Sequence, residues 1–403
     1  MDTTVLIVFA FVYTGMLLGE IPGLALDRTG VALLGAIVLL VSEVLSPEAA
    51  WGAVDVPTIA LLFGLMIVSA QLRLGGFYAG VTRRITGAPL APATLLAVLV
   101  LVAGALSAVL ANDVVCLAMA PIVIESCAGR RLDPVPFLLS VAAAANVGSA
   151  ATLIGNPQNM LIGQVLRLSF TGYLRAAGPP AALGLVVVWV VICWRFAGRW
   201  EKTTPLAAVA VERLDAWQAG KGVVTISALM AAFLFTDWPR DVLAIGAAGV
   251  LVLSRRLASR DMLALVDWQL LVLFIALFIV NHALVDSGTL AAIQRGVAAA
   301  GIDVRHPAWL FVVTAALSNL VSNVPAVMLL LPTASTPLAG PILALSSTLA
   351  GNLILIGSIA NLIVADQAAR LHVAIGWRDH ARVGIPIALV TLALAAGWLW
   401  LCS

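Results

Sequence analysis

Charged residues in this sequence gather in short clusters that separate apolar runs of roughly 15–20 residues, the length a helix needs to cross a bilayer. The runs are 3–18, 29–42, 57–72, 91–127, 136–166, 178–194, 222–236, 241–254, 268–285, 308–340, 341–368 and 383–402. Hydrophobic residues make up 62% of the chain and charged ones 10%, against about 45–50% and 25% in soluble domains. A water-soluble chain of 403 residues must cover its surface with polar groups. The expected solvent is lipid.

The first run follows Met1-Asp2 without a basic stretch, so it reads as a retained helix and not a cleaved signal. Cys116, Cys127, Cys193 and Cys402 lie in or beside apolar runs with no CxxC spacing, and read as small hydrophobes. The net charge of +2 says little about partners, and no nucleic acid is expected.

Two runs, 91–127 and 308–340, are too long for one crossing and barely long enough for two; each carries an Asn near its middle, Asn112 and Asn323. Such segments suit re-entrant hairpins, which return to the side they entered. With the other ten as single crossings, one face receives 17 Lys and Arg and the opposite face 5. The positive-inside rule makes the first face cytoplasmic, so both termini are expected on the opposite side, in a membrane such as the bacterial inner membrane. The reading divides the chain into an N-terminal half-repeat (1–196), a cytoplasmic linker (197–221) and a C-terminal half-repeat (222–403).

Sliding the sequence by 212 residues places Arg28 on Arg240, Val54-Asp55 on Val266-Asp267 and Gly76 on Gly288. At 211, Asn112 meets Asn323 and Pro121 meets Pro332; at 202, Leu153-Ile154-Gly155 meets Leu355-Ile356-Gly357 and Asn159 meets Asn361. Each half holds an odd number of crossings, five, so the second copy is expected to insert upside down, as in many secondary transporters. The fold class expected is an all-α polytopic membrane protein, an inverted repeat of five transmembrane helices plus one re-entrant hairpin per half, with broken helices.

The chemistry is expected at the hairpin tips and the interrupted helices after them. The tips include Ser107, Asn112 and Asp113 in one half and Ser318 and Asn323 in the other. A carboxamide there can cap the returning half-helix while freed carbonyls bind a cation. The interrupted helices run from Asn146 through Gly148, Asn156-Pro157 and Asn159, and from Gly351-Asn352 through Ser358 to Asn361. Gly155-Asn156-Pro157 continues a helix poorly, because proline removes a donor and its predecessor avoids the α region. Two acids, Asp113 and Asp366, sit well inside apolar runs, where ionisable groups are functional candidates by default. Asp113 has Val324 as its counterpart, which suits an H⁺ or Na⁺ coupling group in one half only; Asp366 has Arg370 at i+4 and also reads as a helix-end ion pair. Asn281 and His282 close an apolar run and read as interfacial. No GxxxxGK[ST], HExxH or nucleophile–base pair occurs, so neither a nucleotide motor nor an enzyme is expected, and no cofactor beyond a coupling ion.

The runs 105–124, 146–162, 318–332 and 351–366 resemble the ion transporter superfamily, which includes divalent anion:sodium symporters, citrate transporters, arsenite-efflux permeases (ArsB) and NhaD-type sodium–proton antiporters. Asn112-Asp113 at the first tip and Gly155-Asn156-Pro157-Gln158-Asn159 in the broken helix look most like SLC13-like anion permeases. The resemblance implies a homodimer with a scaffold and an elevator-like transport domain. It also implies Na⁺ sites at Ser107, Asn112 and Gly148 and at Ser318, Asn323 and Gly351. Where dicarboxylate symporters show Ser-Asn-Thr at both tips, this chain has Ala111-Asn112-Asp113 and Ser322-Asn323-Val324, and Asp113 would repel an anion unless protonated or neutralised. The expected function is ion-coupled secondary transport of a small inorganic or organic anion or oxyanion. The alternatives are a Na⁺/H⁺ antiporter, an arsenite efflux permease or a channel.

Overall fold

The computed structural model describes residues 3–19, 21, 23–201 and 214–402. It is helical throughout, apart from one isolated bridge between Leu132 and Glu201 among the described residues. Seven helices are long and apolar enough to cross a bilayer: Val56–Leu74, Pro92–Val109, Asn112–Gly129, Phe170–Arg195, Ala216–Phe235, Trp268–Asp286 and Trp377–Leu401. Shorter apolar helices fill the remaining runs. The chain is an all-helical polytopic membrane-type protein.

Local signals set most helix starts. Asp55 accepts a hydrogen bond from Thr58 N at 2.8 Å, and Asp267 from Leu270 N at 2.9 Å, so the aligned aspartates cap aligned helices. Proline stands in the first turn of Val56–Leu74, Pro92–Val109, Pro134–Ser149, Pro157–Val165 and Pro307–Val321, where its missing N–H costs nothing. Gly76 and Gly288 both take left-handed φ values, +67° and +69°, at the start of the next helix in each half. These helices, Phe77–Thr86 and Thr289–Ala299, with Pro47–Ala53 and Ser259–Leu263, occupy stretches that hydropathy assigns to connections. Ala216–Phe235 begins six residues inside the expected linker, because Asp215 caps it and Gln71 Nε2 donates to the buried Gln218. Residues 202–213 of that linker, with Lys202 and Arg213, lie outside the described residues.

The helices pack in two groups. Arg28–Val41 lies on Trp268–Asp286, Arg240–Val252 on Val56–Leu74, and Thr3–Leu18 and Ala216–Phe235 join their edges. The second group surrounds Pro134–Ser149 and Ala339–Ala350, in which every residue is buried. A helix apolar on all sides belongs in such a position. Each is followed by a break and a second half-helix, Pro157–Val165 or Ile359–Arg370.

Candidate functional site: the hairpin tips and broken helices

Residues 150–156 leave the helical path, and Asn156 restarts it by accepting from Asn159 N at 2.9 Å, immediately before Pro157. Asn159 closes the break, its Nδ2 donating to Ser149 O at 3.2 Å and Thr152 O at 2.9 Å. In the second break Asn361 Nδ2 donates to Gly351 O at 2.9 Å and Ile354 O at 3.4 Å. Donors and acceptors alike differ by 202 residues, the offset read from the sequence. Ser358 stands in for Asn156 and caps Ala360 N. Tyr173 adds a brace in the first half only, its hydroxyl donating to Ala150 O at 2.8 Å.

Each hairpin tip reaches the break of its own half. The first turns at Leu110-Ala111; Asn112 N donates to Gly155 O at 3.3 Å, and Thr152 Oγ1 donates to Ala108 O. A Cβ on Gly155 would collide with Ser149 O and lie 2.8 Å from Ser107 O, and one on Gly148 would lie 2.6 Å from the Gly104 carbonyl carbon. Glycine at both positions lets hairpin and break come into backbone contact. The second tip turns on Ser322 at φ +77° and ψ 161°, a region essentially reserved for glycine. It is tied to its break by Asn319 Nδ2, which donates to Ala350 O at 3.1 Å.

The two breaks meet. Asn146 Nδ2 donates to Asn352 Oδ1 at 2.9 Å and Asn361 Oδ1 at 3.2 Å, while Ser358 Oγ donates to Asn146 Oδ1 at 2.8 Å. Asn112 Nδ2 also reaches Asn146 Oδ1 at 3.5 Å. In the reverse direction, Asn156 Nδ2 and Gln158 Nε2 donate to Thr348 Oγ1 at 3.3 and 3.1 Å. Thr348 is the residue 202 positions after Asn146, and Ser358 the one after Asn156. One crossing contact is therefore made twice. Hydropathy and helix-breaking signals did not mark Thr348 or Tyr173. Thr348 sits inside an apolar run and Tyr173 in the connection between 136–166 and 178–194, and in either place a single hydroxyl carries no local signature.

The first site expected from sequence is assembled: Ser107, Asn112, Asn146, Gly148, Asn156 and Asn159 come together. At the second, Gly351 and Asn361 are joined directly, Asn352 and Ser358 meet them through Asn146, and Asn319 ties the hairpin to the break; Ser318 and Asn323 lie on the hairpin helices packed against Ala339–Ala350. Buried oxygens without a hydrogen-bond partner among the described residues cluster at both tips: Ser107 Oγ and Asn112 Oδ1 at one, Ser318 Oγ, Asn319 Oδ1 and Asn323 Oδ1 at the other. Buried polar groups are normally satisfied. Unused oxygens are what a hard cation takes as ligands. The Gly148 carbonyl accepts from Ala151 N and the Gly351 carbonyl from Asn361 Nδ2. Asp113 lines a separate cavity of about 70 Å³. Asp366 lies outside the hub in an exposed 2.8 Å ion pair with Arg370. Asn281 accepts from Tyr13 Oη at 3.0 Å, and His282 pairs with Asp286 at 3.1 Å.

A family model described as citrate transporter matches residues 4–342. The chain is 27% identical to a silicon efflux transporter, LSI3, of Oryza sativa subsp. japonica, with 93% of each chain covered. It is 32% identical to the inner membrane protein YbiR of Escherichia coli, over 83% of this chain and 85% of the other. The crystal structure of the Alcanivorax borkumensis YdaH transporter shares the fold with a TM-score of 0.59 at 13% identity, covering 99% of this chain and 96% of that one. With hairpins and broken helices meeting in a buried polar hub, and a family match over most of its length, this chain belongs to the citrate transporter family, a group of membrane transporters within the ion transporter superfamily.

Proposed function

We propose that the protein is an ion-coupled secondary active transporter of a small oxyacid or its anion, with coupling cations held at the hairpin tips and the solute at the carboxamide hub. The orphan oxygens of Ser107, Asn112, Ser318, Asn319 and Asn323 carry this reading. They supply two cation donor sets, each beside a backbone break that exposes further carbonyls. The hub bonds described above use only neutral side chains, which suits a hydroxyl-rich solute of low charge. The silicon efflux transporter among the relatives supports a cargo of that kind.

In this reading residues 1–196 and 222–403 are inverted half-repeats joined by a cytoplasmic linker. The helices around Pro134–Ser149 and Ala339–Ala350 form the moving elevator domain, and those around Val56–Leu74 and Trp268–Asp286 form the scaffold of a homodimer. In the same reading the protein lies in a bacterial inner membrane with both termini extracytoplasmic, which the 17-to-5 distribution of basic residues supports. The matched helix order of the two halves and the crossing contact repeated at one offset support the inversion.

The test is counterflow in proteoliposomes with arsenite, silicic acid and citrate, under imposed Na⁺ and pH gradients. Saturable, gradient-driven accumulation of one of them is the expected result. Na⁺/H⁺ exchange without solute accumulation would replace the proposal with an antiporter, and uncoupled, non-saturating flux would replace it with a channel.

A further inference from the structure

The half-helix Pro157–Val165, which restarts at the hub, ends in a turn that is held from the other group of helices. Arg240 Nη1 donates to Leu168 O at 2.8 Å and Nη2 to Gly163 O at 2.7 Å. The last carbonyls of a helix have no partner within it, and a cation placed there also complements the dipole. The turn pivots on Arg167 at φ +49°, and Leu168 N donates back to Gly163 O at 3.1 Å. One guanidinium therefore grips both ends of the turn.

The two sides of this contact belong to different groups. Arg240 begins Arg240–Val252, seated on Val56–Leu74 so closely that a Cβ on Gly64 would lie 2.6 Å from the Ala244 carbonyl carbon. That backbone contact gives the guanidinium a fixed base. Pro157–Val165 lies between the groups, packed on Val56–Leu74 on one side and on Ala339–Ala350 and Asn323–Leu330 on the other. Its turn is seated on the second side: a Cβ on Gly340 would lie 2.6 Å from Leu168 Cδ1. Leu168 thus rests its side chain on one group and gives its carbonyl to the other. The repeat does not reproduce the bond. Arg28, 212 residues earlier, donates Nε to Met16 O at 3.2 Å, inside its own group. Tyr13 Oη also reaches across, to Pro325 O at 3.3 Å, but its single hydrogen has Asn281 Oδ1 nearer, at 3.0 Å.

We propose that Arg240 is a positioning residue that latches the hub-bearing helices to the scaffold in this conformation, and that its two bonds open when those helices move. This rests on the elevator arrangement of the transporter reading and gives it a named point of release. Both bonds are charge-assisted, and both end on one turn, so a shift of that turn breaks them together. Release does not strand the guanidinium. Arg240 lines a cavity of about 1120 Å³ between the groups, together with Asp55, Asp237 and Asp241, carboxylates that can receive it. Asp55 commits Oδ1 to the Thr58 amide at 2.8 Å and keeps Oδ2. Arg167 lines the same cavity. Among the described residues no hydrogen bond or ion pair joins it to the scaffold helices, which makes it the control for charge alone.

The experiment measures the distance between spin labels at W51C and R175C in the full chain reconstituted in lipid, with Cys193 and Cys402 replaced by alanine. Trp51 is exposed on Pro47–Ala53, which packs on Trp268–Asp286; Arg175 is exposed near the start of Phe170–Arg195, which packs on Pro134–Ser149. The parent chain is expected to give one dominant distance. R240Q should add a second and raise the ratio of second to first roughly tenfold or more, the effect of losing at least one charge-assisted bond. R240K keeps the charge and part of the bonding, and should raise the ratio less. R167Q should leave the parent distance in place. A lower melting temperature for R240Q with the parent distance unchanged would make Arg240 a helix cap only and overturn the proposal, as would an equal shift in R167Q. Where R240Q does not fold, R240K decides, and a parent distance unchanged there overturns the proposal too. Counterflow of arsenite, silicic acid or citrate by the parent chain is scored separately. Its absence would count against the transporter reading while the distance change stood.

Discussion

The two tip-and-break units perform the same task with different parts. In the first, the tip turns on residues in relaxed extended conformations and is tied to its break by backbone contact, Asn112 N to Gly155 O, with Tyr173 bracing the break. In the second, the tip turns on Ser322 in a strained conformation, and a side chain, Asn319, makes the tie. The arms differ as well. Pro92–Val109 and Asn112–Gly129 have 18 residues each, whereas Asn323–Leu330 has 8 before a short 3₁₀ turn. Eight residues rise about 12 Å, far short of a crossing. What both units keep is the crossing contact, Asn146 with Ser358 and Thr348 with Asn156. The contact between the two breaks recurs at one offset, while the tips that flank it differ.

The sharpest way to break this comparison is at the glycines of the two breaks. Gly155→Ala places a methyl group against the backbone of Ser149 and Ser107, which cannot yield locally; Gly357→Ala meets Asn319 Oδ1 at 2.7 Å, a side-chain atom that can move. Thermal unfolding in detergent should show a loss of about 3 kcal/mol or more for the first and clearly less for the second. Equal losses would mean that the two tips dock alike.

The hub comes next. Asn146→Ala removes three bonds to the second break, and Thr348→Ala two bonds from the first. Interhelical side-chain bonds in membranes average about 0.6 kcal/mol, with maxima near 1.7, so Asn146→Ala should cost about 2–3 kcal/mol and Thr348→Ala about 1–2. Melting curves that rank them in the opposite order would place the hub on Thr348.

Smaller and opposite in sign is Ser322→Gly. Relief of a strained φ is worth about 1–3 kcal/mol, less the chain entropy glycine adds on unfolding, so a net gain of about 1 kcal/mol is expected in the same assay. Ala111→Gly at the relaxed first tip should lose stability. A loss of similar size is expected for Tyr173→Phe, about 1 kcal/mol, since it removes the bond to Ala150 O and the one accepted from Asn159 Nδ2, visible as a drop in melting temperature.

Much of this was legible residue by residue. Asn156-Pro157 announced a restart, and it is one; Asp55 and Asp267 aligned in sequence and cap aligned helices; Asn159 and Asn361 aligned and close their breaks through carbonyls at the same spacing. Each of these works within about ten residues of chain, so its donor, acceptor and spacing are all written locally. Asn319 was visible beside the second tip but not singled out, because nothing near it indicates which carbonyl it would meet 31 residues later.

Sequence alone indicated the solvent, the long apolar helices, the positions of the breaks and the offset that pairs their asparagines, because hydropathy, capping and proline sterics act between chain neighbours. Tertiary structure alone decided that Asn146 reaches Ser358, 212 residues away, and that Asp113 shares a cavity with Arg73 and Asp267 instead of the hub. Such partners are selected by how fully buried helices pack, and in a polar group held away from water the partner determines the chemistry.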